Sequence, residues 1–228
     1  MDMLVTGEIY HVLNRGIEDR VIFQNKRDYE RFLLTIFECN SQNPARNRHR
    51  RTESIANDPV QIKADRLVDI LCLTLMPNHF HIAAKQLFDG GIPKLMQRVG
   101  DSYTKYFNIK YERKGSLFMS GYKNVHVNSD SQLRHLIIYI HANPLDLIMP
   151  GWRAGKIKNF KKAKEFLENY IWSSYPLYSG RRDSSLISQI VNREYVDSFY
   201  PKERDHFNAI CSWSNRYYET FNAPILRN

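Results

Sequence analysis

Apolar runs and alternating apolar positions predict four strands in this chain. The first occupies residues 7–13, where β-branched and aromatic side chains precede the turn signal Asn14-Arg15-Gly16. A long apolar run over residues 71–84 is interrupted only at Met76-Pro77-Asn78. It therefore predicts two strands, the first beginning near residue 66, that pair as a hairpin. A short fourth strand is expected at residues 123–127.

Helical spacing of apolar residues predicts three helices in the same region. The first begins at Asp28, whose side chain can cap it, and buries its apolar residues at positions 32, 33, 36 and 37. The second is expected at residues 92–106, and the third runs from Ser129 or Asp130 to Ala142, before Asn143-Pro144. The order β-α-β-β-α-β-α predicts an α+β fold, a ferredoxin-like antiparallel sheet with helices packed on one side.

Composition changes near residue 150. We expect residues 1–150 to form one domain with a basic insert at about 42–65, and residues 151–228 to form a basic helical extension. In this extension, helices are predicted at residues 183–199 and 201–221, after a basic helix that carries Lys156, Lys158, Lys161, Lys162 and Lys164. The insert contains Arg46, Arg48, Arg50 and Arg51. Such a charge run is usually solvated, and an arm that contacts nucleic acid is the less common alternative.

Charge and aromatic content narrow the range of partners. The net charge is +9 with a pI near 9.4, and 13% of the residues are aromatic, which favours single-stranded nucleic acid. A basic, tyrosine-rich protein without such a partner has the same composition. Three separated cysteines exclude a Cys-x-x-Cys zinc site. The chain has neither a leader-like start nor an apolar run of about 18 residues, so we expect a cytoplasmic protein without membrane contact.

A pair of histidines in the predicted hairpin is the first candidate for chemistry. His79 and His81 are two residues apart on a strand, so their side chains share one face while Phe80 points into the core. Two imidazoles on one face can begin a divalent-metal site. For an isolated His-x-His, a surface histidine beside one that caps the turn is the commoner interpretation.

The third predicted helix carries the second candidate. His135, Tyr139 and Asn143 are spaced four apart and share a face. A phenol there can attack as a nucleophile, and the amide oxygen one turn later can complete the coordination of a metal ion. On this helix alone, a boundary tyrosine and an asparagine that merely ends the helix are the alternative. His135 could help to remove the phenol proton, although a structural histidine is the simpler interpretation.

Several motifs follow one another in the order of a known family. The chain resembles the Y1 single-tyrosine transposases of the IS200/IS605 group and, more closely, the REP-associated tyrosine transposases, over residues 7–176. The motifs are Ile9-Tyr10-His11-Val12 with Asn14-Arg15-Gly16, Asp28-Tyr29-Glu30-Arg31-Phe32, Leu75-Met76-Pro77-Asn78-His79-Phe80-His81, Leu95-Met96-Gln97 with Tyr106-Phe107-Asn108, Gly115-Ser116-Leu117-Phe118 with Gly121-Tyr122-Lys123, Tyr139-Ile140 with Asn143-Pro144, and Trp172-Ser173-Ser174-Tyr175.

The resemblance implies an HUH endonuclease that transposes or recombines DNA. It implies His79, His81 and Asn143 as ligands of Mg²⁺ or Mn²⁺ and Tyr139 as the nucleophile that forms a 5′-phosphotyrosine. The implied partner is single-stranded DNA carrying a hairpin, bound by a monomer or a homodimer. The basic residues that we place along this strand are Arg15, Lys94, Arg98, Lys105 and Lys123.

Two other classes of protein share some of these features. A zinc nucleobase deaminase needs His-x-Glu with Pro-Cys-x-x-Cys, and this chain has neither, so that class is excluded. A non-catalytic module that binds single-stranded nucleic acid on a ferredoxin-like fold remains the alternative.

Overall fold

A four-stranded antiparallel sheet organises the part of the chain that the computed structural model describes, residues 4–42, 65–154, 157–180, 185–199 and 206–212. The strands lie in the order β2-β3-β1-β4. With one helix between β1 and β2 and one between β3 and β4, this is the ferredoxin-like arrangement. The predicted α+β fold is therefore confirmed. The strands are β1 (Ile9–Arg15), β2 (Val68–Met76), β3 (His79–Gln86) and β4 (Lys123–Val127).

Two of the seven helices named here lie between strands of the sheet in chain order, and the other five follow the last strand. They are α1 (Lys26–Cys39), α2 (Gly91–Lys110), α3 (Asp130–Ala142), α4 (Phe160–Asn169), α5 (Tyr175–Tyr178), α6 (Leu186–Ile190) and α7 (Glu194–Asp197). Short 3₁₀ turns are formed by Ile17–Asp19, Asn143–Leu147 and Trp152–Ala154, and residues 206–212 are also helical.

Capping side chains determine where the first and third helices begin. Ser129 caps α3 by accepting a hydrogen bond from the backbone N–H of Gln132, as predicted. For α1 the prediction was wrong, because Asn25 is the N-cap and Asp28 lies three residues later. There the Asp28 carboxylate accepts the backbone N–H of Asn25, the reciprocal half of a capping box.

Helices cover both faces of the sheet, which corrects the prediction of helices on one side. Phe80 lies on the face covered by α1, with its ring centroid 5.0 Å from that of Phe32. On the opposite face α3 contacts β2, where Thr74 Oγ1 donates a 2.8 Å hydrogen bond to the Ile140 carbonyl. Nearly every residue of β2 is buried, so this strand needs a layer on each side.

The C-terminal extension closes one edge of the sheet. Edge strand β2 exchanges backbone hydrogen bonds with it, including Leu75 N to Trp172 O and Ser174 N to Leu73 O, both 2.9 Å. Asn192 N adds a 2.8 Å bond to Ile70 O. These contacts satisfy backbone groups that an edge strand otherwise exposes. The division of the chain near residue 150 stays a prediction.

Several predicted helices in the extension differ from the structure. Residues 183–199 contain two short helices, α6 and α7, where one was predicted. Of the lysines assigned to a basic helix, Lys161, Lys162 and Lys164 lie in α4, Lys158 precedes it, and Lys156 lies outside the described residues. The four arginines of the insert also lie outside them, as does most of the predicted helix 201–221. Within the described ranges, no helix has the length and apolar character needed to cross a bilayer.

Candidate active site

The β2–β3 hairpin presents two histidines on one face of the sheet. Its two-residue turn is Pro77-Asn78, and His79 is the first residue of β3. The imidazoles of His79 and His81 are neighbours, with ring centroids 5.0 Å apart and planes at 85°. His81 is fully buried and His79 is partly buried. We call this side of the sheet the histidine face and the side that carries Phe80 the Phe80 face.

The turn residue Asn78 sets the orientation of His79. Nδ1 of His79 lies 2.7 Å from Oδ1 of Asn78, while Nδ2 of Asn78 donates to the Asp19 carbonyl at 3.4 Å. Because the amide nitrogen faces Asp19, the oxygen faces His79 and can only accept. His79 therefore carries its proton on Nδ1 and has a lone pair on Nε2.

The Asn14-Arg15-Gly16 motif holds this turn in place. Gly16 N donates a 2.8 Å hydrogen bond to the Asn78 carbonyl. A Cβ atom at position 16 would lie 2.2 Å from the carbonyl oxygen of Arg20, so only glycine fits here. Arg15 pairs directly with His79 across the strands and forms a 2.7 Å ion pair with Asp19. This motif thus brings a cation and a carboxylate beside His79.

Strand β1 adds a third histidine that the sequence analysis did not assign to the site. His11 is buried, and its Nε2 lies 2.9 Å from Nδ1 of His81. The two rings stack with centroids 5.0 Å apart. A polar residue inside the apolar strand Ile9-Tyr10-His11-Val12 was the available signal, but the pairing of β1 with β3 was needed to place it beside His81.

Helix α3 brings Tyr139 to the same histidines. The Tyr139 ring is 1% exposed and lies edge-on to His81, with centroids 5.3 Å apart and planes at 82°. Its centroid lies 6.1 Å from that of His11. Asn143, one turn later, is fully buried at the end of the helix, and its amide lies close enough to His79 to influence that imidazole. The structure thus groups Tyr139, Asn143 and the two predicted histidines.

Four buried polar atoms at this site lack hydrogen-bond partners among the described residues. Nε2 of His79, Nε2 of His81 and both polar atoms of the Asn143 amide are buried without a hydrogen bond. Unpaired buried polar atoms are costly and uncommon, so such a group calls for a ligand. Two imidazole nitrogens and an amide oxygen suit a divalent cation. Among the described residues, no group of three or more His, Cys, Asp or Glu could hold a metal ion, so a site here depends on Asn143.

Burial keeps the three imidazoles neutral. It lowers the pKa of His11 to about 4. Burial, reinforced by the charge of Arg15, also lowers the pKa of His79 to about 4. The pKa of His81 lies well below its usual value because of burial and the neighbouring His11. Metal ligation requires unprotonated imidazole, so His79 and His81 can serve as ligands at neutral pH without first losing a proton.

Arg153 is a second residue that the sequence analysis missed. Its guanidinium carbon lies 5.3 Å above the Tyr139 ring, and its charge lowers the pKa of both His79 and His81. Asp146 holds it through an ion pair of 2.5 Å and also accepts a 2.8 Å hydrogen bond from Trp152 Nε1. Arg153 belongs to the C-terminal extension and carries no local motif, so only the tertiary structure reveals it.

The basic residues predicted along the DNA occupy different places. Arg15 and Lys123 line a cleft of about 320 Å³ beside His79, and Lys105 lines a larger groove of about 710 Å³ over the Phe80 face. The two hollows share Asn14 and the segment 119–121. Lys94 is exposed in the first turn of α2. Arg98 donates to the carbonyls of Cys39 and Ser41 at 3.4 and 2.7 Å, a contact that connects α1 to α2.

Other tyrosines and the predicted helper histidine lie elsewhere. The Tyr106 hydroxyl donates to Asp28 at 3.0 Å, and the Tyr103 hydroxyl donates to the Ile22 carbonyl at 2.6 Å. Both tyrosines lie on α2, over the Phe80 face. His135 lies one turn before Tyr139 and is partly buried, which lowers its pKa.

Comparison with known proteins agrees with the motifs. The model of the family described as "Transposase IS200 like" matches residues 33–143, which include Tyr139, Asn143 and both histidines of β3. The resemblance to the IS200-like transposases is thereby confirmed over these residues. None of the curated proteins matches the sequence significantly. A solved structure of a REP-associated tyrosine transposase bound to a REP hairpin aligns with 82% of this chain and 87% of its own, at 13% identity and a TM-score of 0.42.

Proposed function

From the match of residues 33–143 to the IS200-like transposases, we infer that this protein cuts and rejoins DNA strands. We propose a metal-dependent endonuclease and strand transferase that acts on single-stranded, hairpin-bearing DNA through a 5′-phosphotyrosine. One observation carries the proposal: Tyr139 lies against His81, beside buried ligand atoms of His79, His81 and Asn143 that have no protein partner. A binding module without catalysis would have no need for these unpaired atoms.

His79, His81 and Asn143 would hold a Mg²⁺ or Mn²⁺ ion. The ion would act as a Lewis acid toward the oxygens of the scissile phosphate. Asn78 prepares one ligand by holding the His79 proton on Nδ1. Burial removes competition by protons at neutral pH. The residues present therefore fit a cation with mixed nitrogen and oxygen ligands.

Tyr139 would carry out the covalent step. Its hydroxyl loses a proton, and the oxygen attacks the phosphorus of a DNA phosphodiester. The bond from phosphorus to the 3′ oxygen breaks, and that oxygen takes up a proton to become a 3′-hydroxyl. The 5′ phosphate remains esterified to Tyr139, so attack by another 3′-hydroxyl reverses the step without a further energy source.

Arg153 would bind the phosphate that reaches Tyr139. It lies over the phenol ring, and its ion pair with Asp146 is partly exposed. A phosphate entering beside Tyr139 offers the guanidinium a stronger, bidentate partner than the carboxylate. A cation above the ring also stabilises the phenolate that forms as the proton leaves.

The clefts near His79 suggest how a single strand would lie. Arg15 and Lys123 line the cleft on the histidine face. Lys105 lines the groove over the Phe80 face, and segment 119–121 borders both hollows. An unpaired strand can turn from one hollow into the other, whereas a duplex is too stiff for such a path. The hairpin requirement follows from the motif resemblance to REP-associated tyrosine transposases.

A cleavage assay tests the proposal. The full chain is incubated with Mn²⁺ and an end-labelled oligonucleotide that contains a hairpin and single-stranded flanks. We expect a shortened strand with a 3′-hydroxyl and a covalent protein–DNA species, both lost with a chelator. A fully duplex oligonucleotide is the matched control. Tight binding of the hairpin oligonucleotide with neither product would instead assign the protein to the non-catalytic binding modules.

A further inference from the structure

One buried histidine of the candidate site has no part in the proposed reaction. His11 is 1% exposed, and its Nε2 lies 2.9 Å from Nδ1 of His81. Since both rings are neutral, one of them donates the shared proton and the other accepts it. The direction of this hydrogen bond determines whether Nε2 of His81 carries a proton or a lone pair.

The number of hydrogen bonds does not decide the direction. If His11 donates, His81 keeps its own proton on Nε2, where it blocks any cation. If His81 donates from Nδ1, its Nε2 has a lone pair and His11 keeps a proton on Nδ1. Nε2 of His81 and Nδ1 of His11 are both buried without a partner, so each direction leaves one buried N–H unpaired.

A neighbouring cation distinguishes the two directions. Across the paired strands β1 and β3, Arg15 lies opposite His79 and His11 lies opposite Ala83, so Arg15 and His11 are on opposite sides of His81. The positive charge of Arg15 therefore lies on the side of His81 that faces away from His11. An unprotonated nitrogen is the negative end of the imidazole dipole, so positive charge on that side favours a lone pair on Nε2.

We propose that His11 is a positioning residue: it accepts a hydrogen bond from Nδ1–H of His81 and so keeps Nε2 of His81 available as a metal ligand. The metal part of this inference rests on the proposed function. The same arrangement exists at His79, whose Nδ1 bonds to Asn78 at 2.7 Å. Each ligand histidine then has one outer partner, meaning a hydrogen-bonded residue that does not itself bind the metal. This partner fixes the tautomer of the ligand, as is usual for histidines that bind metals.

The tautomer of His81 in the metal-free full chain is the first test. Nitrogen-15 NMR of labelled histidine distinguishes a proton on Nδ1 from one on Nε2. We expect the His81 proton on Nδ1 in the native protein. His11→Gln places an acceptor near the position of Nε2 and should retain this tautomer, while His11→Phe removes the acceptor and should shift His81 toward Nε2–H. A native His81 protonated on Nε2 would overturn the inference.

Titration with Mn²⁺ is the second test. His11→Phe should weaken Mn²⁺ binding by about 10–100-fold, the usual effect of losing an outer partner, and His11→Gln should restore most of it. His126→Phe, the same change at an exposed histidine of β4, is the control and should bind like the native protein. Equal affinity in His11→Phe and native protein would refute the positioning role. If native protein binds no Mn²⁺, the proposed metal site fails, and the His81 tautomer still decides the role of His11.

Discussion

The ring of Tyr139 lies edge-on to the ring of His81, with centroids 5.3 Å apart and an interplanar angle of 82°. The two residues come from α3 and β3, which are more than 40 positions apart in the chain. Packing of α3 on the histidine face therefore joins the candidate nucleophile to the candidate metal ligands. Any change that moves α3 from the sheet should disturb both parts of the site together.

Replacing His79 should remove metal binding with little loss of stability. His79 is only partly buried, so His79→Ala leaves a smaller defect than a change at fully buried His81. We expect the Mn²⁺ affinity of His79→Ala, measured by calorimetry, to fall by more than about 100-fold, beyond the effect of losing an outer partner. His126→Ala on β4 is the matched control. Native-like affinity in His79→Ala would exclude this residue as a ligand.

Much of this site followed from local pattern. The His-x-His spacing placed two imidazoles on one face, and the helical spacing placed Asn143 one turn after Tyr139, because both depend only on backbone periodicity. The pattern did not show that α3 covers the face opposite to α1 and α2. The continuous burial of β2 requires that second layer, and a strand of unbroken apolar residues was its signal.

Arg153 should assist catalysis without helping to bind metal. Arg153→Gln removes the cation above Tyr139, and we expect covalent adduct formation to slow by about 100-fold, as for loss of one preorganised charged donor. Mn²⁺ affinity should stay the same or rise, because a positive charge near His79 and His81 is gone. Single-turnover kinetics and calorimetry separate these effects.

The control for Arg153 is an exposed arginine far from the histidines. Arg27 lies in the first turn of α1, and Arg27→Gln should leave the adduct rate unchanged. An adduct rate in Arg153→Gln equal to that of Arg27→Gln would show that Arg153 only packs on the phenol ring. Weaker Mn²⁺ binding in Arg153→Gln would point to a disturbed site and contradict the expected role.

Acidification should destabilise the fold before ordinary carboxylates become protonated. Burial lowers the pKa of His11 and His79 to about 4 and that of His206 to about 3, and holds those of His81 and His141 well below the usual value. Unfolded histidines take up protons near pH 6.5, while the folded ones stay neutral. The unfolded state thus binds more protons, so stability falls as the pH decreases from about 6.5 toward about 4.

Urea unfolding at pH 7 and at pH 5 measures this effect. Each neutral buried histidine can contribute on the order of 1 kcal/mol per pH unit in this window. His11→Gln removes one such group and should reduce the difference between the two pH values. Equal free energies of unfolding at both pH values would contradict the assignment of neutral, buried histidines.

The arginine-rich insert should add affinity without sequence preference, because phosphate contacts position DNA but do not read it. Replacing Arg46, Arg48, Arg50 and Arg51 with Gln should weaken binding to all single strands alike. Each lost phosphate contact should reduce the slope of log affinity against log salt by about 0.7. Fluorescence anisotropy at several salt concentrations measures this slope. A slope equal to that of the native chain would identify the insert as a solvated loop.

His11 and Arg153, the two site residues that local sequence pattern does not reveal, both join the site through tertiary contacts. His11 becomes part of the site only through the pairing of β1 with β3, and Arg153 only through the return of the extension to α3. Neither contact lies within the range of helix or strand periodicity. A neighbour on another strand also orients the ring of His81. This contact is tertiary, so the spacing of His79 and His81 could not predict it.

Formation of the covalent adduct by Tyr139→Phe tests the central claim most directly. This change keeps the ring and its packing against His81 while it removes the attacking oxygen, so the protein should fold and bind Mn²⁺ and DNA as before. The control is Tyr106→Phe, which loses the hydrogen bonds of the Tyr106 hydroxyl to Asp28 and Lys110 on the other side of the sheet. Denaturing electrophoresis and mass spectrometry detect the protein–DNA adduct and locate it on the chain. We predict no adduct with Tyr139→Phe and a normal one, attached to Tyr139, with Tyr106→Phe; a full-strength adduct from Tyr139→Phe would contradict the account.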